Sequence, residues 1–236
     1  NDTSGNSVVA NVSAYNTTGT YQFSLMTNSS GWTNQTTITD YVNTGGTKSY
    51  YSNYTIWAKN NSLGWGYKKN YNVTSLQNNL NHVITINNNL SDCIILPLVD
   101  TVYNLNQSLT TTGTCLNIAA NNITIDGNGF NITGDGDSAS DYGITTPADS
   151  NLKNITIKNF ANIGNFTIGI YSDQINNSLI YNNTMSSQVA DTTYAILLED
   201  GANNTIYSNN INWNATGSIK DSYGVYLFIT SGNYGN

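Results

Sequence analysis

In the second half of the chain, apolar residues recur in short groups that alternate with small or polar residues. Five such groups, each with a small or polar residue between two apolar ones, begin at Leu116, Tyr142, Ile168, Tyr194 and Tyr223. The first four starting positions are equally spaced, and the last interval is slightly longer. Alternation with period two is typical of β-strands, and a fixed repeat of about 20 to 50 residues is typical of solenoids. The pattern therefore predicts one such strand per coil, with the five starting residues stacked in one column of the core.

A second pattern, Ile-X-X-Asn-X-apolar, recurs within the same period. Its members are Ile125, Asn128 and Phe130, then Ile180, Asn183 and Met185, then Ile206, Asn209 and Ile211. The spacing leaves no room for helical crossovers, so strands of successive coils must pair in parallel, about 4.8 Å apart. We therefore predict a parallel β-helix in which the three isoleucines form one inward stack and Phe130, Met185 and Ile211 form another.

The asparagines of this pattern have two interpretations. Asparagine tolerates the left-handed backbone conformation of tight corners, and stacked amides can hydrogen-bond from one coil to the next. Asn128, Asn183 and Asn209 would then form a ladder along the β-helix. Alternatively, they are ordinary loop residues in a chain rich in asparagine. Their common spacing with the apolar residues favours the ladder.

The first part of the chain has a different pattern of apolar and polar residues. In residues 1–75, alternating segments that include Trp57 and Trp65 are separated by turn-forming clusters at intervals of roughly ten residues, which is typical of a β-sandwich. We predict an immunoglobulin-like β-sandwich with fewer strands than the usual seven. Residues 76–90 are interpreted as a connector that caps the first coil. Residues 91–236 are predicted to form the β-helix, open at its C-terminal end because no polar cap is recognisable there. Either the native polypeptide continues beyond this end, or another subunit covers it.

Composition supports an all-β fold and disfavours several classes of function. Of the 236 residues only 9% are charged, one is glutamate and none is arginine, whereas 11% are aromatic. This content argues against a disordered chain, which is usually poor in aromatic residues and rich in charge. The net charge of −7 disfavours nucleic acid and anionic lipid head groups as partners. No apolar run approaches the roughly 20 residues of a membrane span.

Cysteines and sequons indicate an exported protein. Cys93 and Cys115 are the only cysteines and lack the His or Cys neighbours of a zinc site. They are expected to form a disulfide, the alternative being two free buried thiols. Asn-X-Ser/Thr sequons are abundant, which suits a glycosylated surface, although a chain rich in Asn and Thr also makes sequons by chance. The glycosylation candidates are Asn11, Asn16, Asn28, Asn34, Asn53, Asn72, Asn106, Asn131, Asn165, Asn182, Asn203 and Asn214.

One loop offers a candidate metal site. Asp135, Asp137 and Asp141 supply hard carboxylates at closely spaced positions, which suits calcium, although the loop lacks the glutamate and spacing of an EF-hand. The alternative is a solvated acidic turn.

Catalytic chemistry is weakly indicated. His82 is the only histidine and no nucleophile motif accompanies it, so we interpret it as a surface or capping residue. Asp126 is isolated, and Glu199 and Asp200 are adjacent in a predicted turn, so no pair of carboxylates suited to glycoside hydrolysis is recognisable. We therefore expect that the protein is not an enzyme.

The β-helix region resembles a known family. The segments CLNIAANNITIDGNGFNITG, NNSLIYNNTM and NNTIYSNNIN are similar to the pectate-lyase-like right-handed parallel β-helices, and in particular to the NosD-type repeats of archaeal and bacterial surface proteins. The resemblance implies a right-handed coil. It also implies a bond between Cys93 and Cys115, because a cysteine before the first coil often pairs with one in TTGTC in such proteins.

The activities of these relatives do not carry over. The copper role of NosD-type proteins needs His, Cys or Met clusters, and this chain has one His and two Met. Lyases of this fold generally use an Arg or Lys base together with acids that bind calcium. The chain has no arginine, and the β-helix region holds only Lys153, Lys158 and Lys220. The segment NYTIWAKNNSLGWGYKKNYNVT resembles the final two strands of immunoglobulin-like domains in archaeal surface proteins.

These observations lead to two hypotheses about function. The first is a structural module of an extracellular, glycosylated cell-surface assembly, such as a surface layer, sheath, adhesin or filament, whose partners are other copies of itself or neighbouring surface proteins. The second is a β-helix that binds or cleaves carbohydrate. A stripe of tyrosines that stacks on sugars would support it, and the candidates are Tyr142, Tyr171, Tyr181, Tyr194, Tyr207, Tyr223 and Tyr226.

Overall fold

The computed structural model describes residues 1–50, 53–73, 82–137, 140–189, 192–216 and 221–228. Within these ranges every regular element is a β-strand, so the predicted all-β class is confirmed. The chain divides into two compact units, Asn1–Asn88 and Asn89–Asn236.

The N-terminal unit contains two antiparallel sheets. Its strands are β1 (Asn11–Tyr15), β2 (Tyr21–Met26), β3 (Tyr41–Thr44), β4 (Thr47–Tyr50), β5 (Asn53–Asn60) and β6 (Gly64–Asn72). Four of them form one sheet in the order β2-β1-β5-β6, and β3 pairs with β4 as a separate hairpin. The predicted antiparallel strands are therefore present, whereas their arrangement as an immunoglobulin-like sandwich stays a prediction.

The four-stranded sheet has a small apolar core. Val8, Ala10, Ala58 and Ile86 form a buried cluster. Trp57 and Trp65 are almost fully buried, with ring centroids 5.6 Å apart.

The segment 82–88 packs against this sheet. The backbone N–H groups of Asn87 and Asn88 donate to the carbonyl of Trp65 at 3.1 and 2.9 Å. The side-chain oxygen of Asn88 accepts from the backbone N–H of Trp65 at 2.8 Å. This part of the predicted connector therefore belongs to the N-terminal unit, because its backbone groups find partners on β6. Asn89–Leu90 is already a strand of the second unit, and residues 76–81 lie outside the described residues.

The second unit is a parallel β-helix, as predicted. Its strands are β7 (Asn89–Leu90), β8 (Ile95–Leu96), β9 (Thr101–Leu105), β10 (Leu109–Thr110), β11 (Leu116–Ile118), β12 (Ile123–Asp126), β13 (Asn131–Thr133), β14 (Tyr142–Thr145), β15 (Thr156–Lys158), β16 (Asn162–Gly164), β17 (Ile168–Asp173), β18 (Leu179–Tyr181), β19 (Thr184–Val189), β20 (Thr193–Glu199), β21 (Thr205–Tyr207), β22 (Asn210–Ala215) and β23 (Ser222–Phe228). The right hand of the coil stays a prediction.

Three sheets run along the β-helix. Sheet 1 has the order β7-β9-β12-β15-β18-β21, sheet 2 the order β10-β13-β16-β19-β22, and sheet 3 the order β8-β11-β14-β17-β20-β23. The strand pairs within these sheets are parallel, and successive coils contribute successive strands to each sheet. Coils of this length bury their apolar side chains only by stacking on one another, so a single coil is not expected to be stable alone.

Two of the predicted core columns are found with one correction. In sheet 1, Ile125, Ile157, Ile180 and Ile206 pair in succession, so the isoleucine stack is continuous. In sheet 2, Ile132, Ile163, Met185 and Ile211 pair in succession. Phe130 does not belong to this column, because the corner before β13 is longer than the corresponding corners of later coils and moves Ile132 into the core position.

The column predicted from Leu116 to Tyr223 requires a larger correction. Tyr142, Ile168, Tyr194 and Tyr223 do pair in single file on sheet 3. Leu116 instead pairs with Ile144, further along the same strand. The backbone N–H of Cys115 donates to the carbonyl of Tyr142 at 3.0 Å, so the segment just before Leu116 lies opposite Tyr142. The regular spacing between Leu116 and Tyr142 is therefore coincidental.

The true core column of sheet 3 is the neighbouring one. Leu116, Ile144, Ile170 and Ile196 pair in succession and each is 0% exposed. The three tyrosines of the predicted column are half-buried on the outer face. Between the tyrosine column and the column of Leu116, the inward position holds a small residue, such as Gly143 in β14. A Cβ atom at Gly143 would lie 2.5 Å from the carbonyl oxygen of Gly169, so a larger side chain does not fit there.

The corner between sheets 3 and 1 explains much of the asparagine. Asp100, Asn122, Asn154, Asn177 and Asn203 occupy equivalent positions in successive coils, and all have φ between 53° and 57°. Left-handed backbone is costly for most residues but is tolerated by Asn and Asp. The amide of Asn122 donates to Asp100 Oδ1 at 2.8 Å, and the amide of Asn154 donates to Asn122 Oδ1 at 2.7 Å. This corner ladder was not identified from the sequence.

A disulfide joins two neighbouring coils at the start of strands β8 and β11. Cys93 and Cys115 are bonded, as predicted, and lie 22 residues apart in the sequence. Cys115 is buried beside the core residue Leu116. Disulfides persist in oxidising compartments, so the bond indicates that the protein matures in one.

Candidate functional site

An interior amide pair joins the last coils at the corner between sheets 1 and 2. Asn183 is 1% exposed, and its amide nitrogen donates to Ile157 O at 3.1 Å and to Asn209 Oδ1 at 3.0 Å. Its side-chain oxygen accepts from the backbone N–H of Phe160 at 3.2 Å. Asn209 repeats the arrangement by donating to Ile180 O at 2.8 Å. Each of these amides therefore satisfies backbone groups of the preceding coil.

Asn128 does not join this pair. Its φ is 50°, which matches the left-handed Asn159 and Asn182 of the same corner, and its amide donates to Leu105 O at 3.3 Å. The interior position of the intervening coil is occupied by Phe160, which is 2% exposed. The predicted ladder therefore holds for Asn183 and Asn209 and is wrong for Asn128, because the longer corner places Asn128 on the outside.

The acidic loop brings its three carboxylates together. One oxygen each of Asp135, Asp137 and Asp141 lie within 4.8 Å of one another. The Oδ2 atom of Asp141 is buried without a hydrogen-bond partner among the described residues. Burial and the nearby charges of Asp137 and Asp135 raise the pKa of Asp141. Such a group of carboxylates has the donor chemistry that calcium prefers.

The tyrosines form ladders along two outer faces. The rings of Tyr181 and Tyr207 on sheet 1 stack at 4.9 Å with planes 9° apart, and those of Tyr194 and Tyr223 on sheet 3 stack at 5.0 Å with planes 10° apart. Each ring in such a pair covers one face of its neighbour. The ladders therefore stabilise successive coils, whereas binding a sugar against a ring face would require that face to be exposed.

Two acidic residues lie at paired positions on sheet 3, an arrangement that the sequence did not reveal. Asp173 and Glu199 occupy neighbouring positions in β17 and β20. The hydroxyl of Tyr171 donates to Glu199 Oε2 at 2.8 Å, and burial followed by this bond raises the pKa of Tyr171. The sequence analysis considered Glu199 only beside its chain neighbour Asp200, so it did not identify this neighbour on the adjacent coil.

A salt bridge lies on the outer face of sheet 1. Lys158 Nζ lies 3.2 Å from Asp126 Oδ2 on the adjacent strand. Burial alone would raise the pKa of Asp126, but the backbone N–H of Asn128, the amide of Asn159 and the charge of Lys158 together lower it. Asp126 thus has a structural partner, and this carboxylate is part of the packing between coils.

The last described coil exposes residues that belong to core columns. Val225 pairs with Ile196 and Leu227 pairs with Leu198. Ile196 and Leu198 are 0% and 4% exposed, whereas Val225 and Leu227 are 44% and 62% exposed. Phe228 is exposed at 43% as well, but it pairs with Glu199 and does not belong to a core column. The apolar surface formed by Val225 and Leu227 is hereafter called the coil-end surface.

The remaining predicted site residues lie at the surface. None of the twelve glycosylation candidates is buried, since Asn16, Asn72 and Asn131 are half-buried and the others are exposed. His82 is exposed and packs edge-on against Tyr71, with ring centroids 4.6 Å apart. Among the described residues, no helix is long and apolar enough to cross a membrane.

Comparison with known proteins adds no relative. No family model, curated protein or solved structure matches the chain. The resemblance to NosD-type repeats and to archaeal surface proteins therefore stays a prediction, while the β-helix rests on the paired register of its strands.

Proposed function

We propose that the protein is a structural module of an exported cell-surface assembly that associates through the end of its β-helix. The coil-end surface is the observation that supports this proposal. A coil of a β-helix buries its core columns against the coil stacked on it, and Val225 and Leu227 are exposed members of such columns. The partner with the matching shape is another β-helix coil, which offers parallel strands and apolar side chains in the same columns.

The module we propose works by stacking, and several features of the chain suit that role. The amide and tyrosine ladders repeat from coil to coil, so a further coil extends contacts that already exist. The disulfide suits an exported protein. We include in the proposal N-linked glycans on the surface, an immunoglobulin-like N-terminal unit, and other copies of the chain or neighbouring surface proteins as partners. No described contact favours the alternative of a carbohydrate-binding or carbohydrate-cleaving site.

Substitution of Leu227 by aspartate tests the proposal. A charge at position 227 makes burial of the coil-end surface against another coil unfavourable. Leu227→Asp is therefore expected to abolish assembly while the fold is retained. Light scattering and electron microscopy of the full chain measure assembly, and circular dichroism measures the fold. Leu179→Asp is the matched control, because Leu179 is 38% exposed on the outer face of β18 and its neighbours in register are threonines. Wild-type protein that stays monomeric in both measurements would contradict the proposal.

We further propose that the acidic loop binds calcium. In the cation-free protein, ionisation of Asp141 is harder in the folded than in the unfolded state, because its folded pKa is raised. Its contribution to stability is therefore present at low pH and is lost as the pH rises through the raised pKa. A bound calcium ion would offset this loss at neutral pH.

Calcium is accordingly expected to raise the melting temperature of the wild-type protein at pH 7, by an amount equivalent to about 2.7 kcal/mol at a concentration 100 times the dissociation constant. Asp141→Asn should abolish the rise in melting temperature caused by calcium. In EDTA, the same substitution removes the repulsion between Asp141 and the carboxylates of Asp135 and Asp137. Calorimetric titration of EDTA-treated protein measures the binding. Absence of both heat and a melting shift in the wild type would discard the calcium site.

A further inference from the structure

Three turns of the N-terminal unit share one sequence pattern and one geometry. The segments are Asp2–Asn6, Asn16–Thr20 and Asn28–Trp32, each with an Asp or Asn first and a glycine fourth. In each turn the side-chain oxygen of the first residue accepts from the backbone N–H groups two and four positions later. The fourth-position glycines have φ of 86°, 82° and 78°, which only glycine adopts readily.

Two of these turns place a sequon asparagine at the first position. Asn16 begins Asn-Thr-Thr and Asn28 begins Asn-Ser-Ser. The oxygen of each carboxamide is held by the turn, at 2.8 to 3.1 Å from its backbone donors. The amide nitrogen of neither residue donates a hydrogen bond to any described residue. The turn therefore fixes the carboxamide through its oxygen and leaves its nitrogen without a described acceptor.

Three sequon asparagines of the β-helix show the opposite arrangement, in which the amide nitrogen is bonded. The amide nitrogens of Asn122, Asn154 and Asn182 donate to the side-chain oxygen of the preceding coil at 2.8, 2.7 and 2.7 Å. To present its nitrogen to another molecule, such a residue must leave the ladder and break its contacts with the neighbouring coils.

We propose that Asn16 and Asn28 are glycan acceptors of this protein. Asn122, Asn154 and Asn182, whose amides bond to the preceding coil and which are called the ladder asparagines below, stay unmodified. The inference rests on the proposed function in that it requires an exported protein that meets a glycosyl donor. The donor is a sugar carried on a phosphate or diphosphate. A bond forms between the asparagine Nδ2 and the anomeric carbon, the bond from that carbon to the phosphate oxygen breaks, and the amide proton passes to the released phosphate or to solvent.

The geometry of the turn also assigns a role to the hydroxyl of the sequon. Thr18 Oγ1 donates to Asn16 Oδ1 at 2.8 Å, so the third residue of the sequon helps to hold the carboxamide by its oxygen. Substitution of Thr18 by serine keeps this hydroxyl and the sequon, whereas substitution by alanine removes both while Asn16 itself remains.

Glycopeptide mass spectrometry of the full chain, produced in a host that performs N-linked glycosylation, tests the inference. We expect glycans on Asn16 and Asn28 and none on Asn122, Asn154 or Asn182. Asn16→Gln and Thr18→Ala should each remove one glycan, and Thr18→Ser should retain it. The melting temperature of each variant shows whether the fold is kept.

Two other outcomes would overturn the inference. Occupancy of a ladder asparagine equal to that of Asn16 would show that the amide contacts do not select the acceptor, and it would leave the structural proposal intact. Absence of glycans from Asn16 and Asn28 in a host that glycosylates a control sequon would reject these acceptor sites. The assembly of the wild type and of Leu227→Asp is measured separately, so the failure of one proposal is distinguishable from that of the other.

Discussion

Substitution of Ile196 by alanine is expected to lower the free energy of unfolding of the β-helix by about 2–5 kcal/mol, because the removed side chain leaves a cavity in a close-packed column. Ile196 is 0% exposed and lies between Ile170 and Val225 in sheet 3. Neither neighbour can move to fill the space, since each is held in register by its own strand. Hydrogen exchange of the amides in β17 and β20 measures the change within this unit.

Val225→Ala provides the matched control for this prediction. Val225 occupies the same column one coil further along but is 44% exposed. Its substitution is expected to change the stability of the isolated chain by about 0.5 kcal/mol or less. Equal losses for the two variants would show that the column is not a core that closes from coil to coil.

Substitution of Asn183 by alanine is expected to cost about 2–5 kcal/mol, although the side chain is polar, because a buried backbone group that loses its partner costs about 1–3 kcal/mol. The amide satisfies the carbonyl of Ile157 and the backbone N–H of Phe160 inside the β-helix. The substitution removes the side-chain partner of both groups. Asn209 keeps its bonds to the backbone N–H of residue 183 and to Ile180 O, so it adds little to the cost.

The adjacent Asn182 is the control for this substitution. It is exposed, and its amide makes one contact, with Asn159 Oδ1. Asn182→Ala is therefore expected to cost about 1 kcal/mol or less. Urea unfolding of both variants, followed by hydrogen exchange at β18 and β19, compares them. A smaller loss for Asn183→Ala than for Asn182→Ala would show that the interior amide is not a structural link between coils.

The sequence predicted the β-helix because its apolar residues repeat with the coil. The isoleucine stack of sheet 1 and the amide pair of Asn183 and Asn209 follow from that repeat, and the two amides lie one regular coil apart. Leu116 and Phe130 were misplaced because the coils that contain them have a different length. Counting residues cannot identify the corner that absorbs an extra residue, whereas backbone pairing does.

The candidate sites could be predicted from the sequence less well than the fold. The corner ladder from Asp100 to Asn203 joins residues that are far apart along the chain, so it appears only when the coils are stacked. The pairing of Asp173 with Glu199 was missed for the same reason. The turns at Asn16 and Asn28 are local, and the shared pattern of an Asx residue followed three positions later by glycine could have identified them.

The unequal lengths of the coils bear on how such a protein can be altered. The chain between Ile125 and Ile157 is longer than the chain between Ile157 and Ile180, yet the three isoleucines occupy adjacent rungs. Most of the excess lies in the connections that precede and follow β14, outside the paired strands. The register of the paired strands is therefore independent of the length of these connections, and we expect segments inserted here to leave the stacking of the coils unchanged.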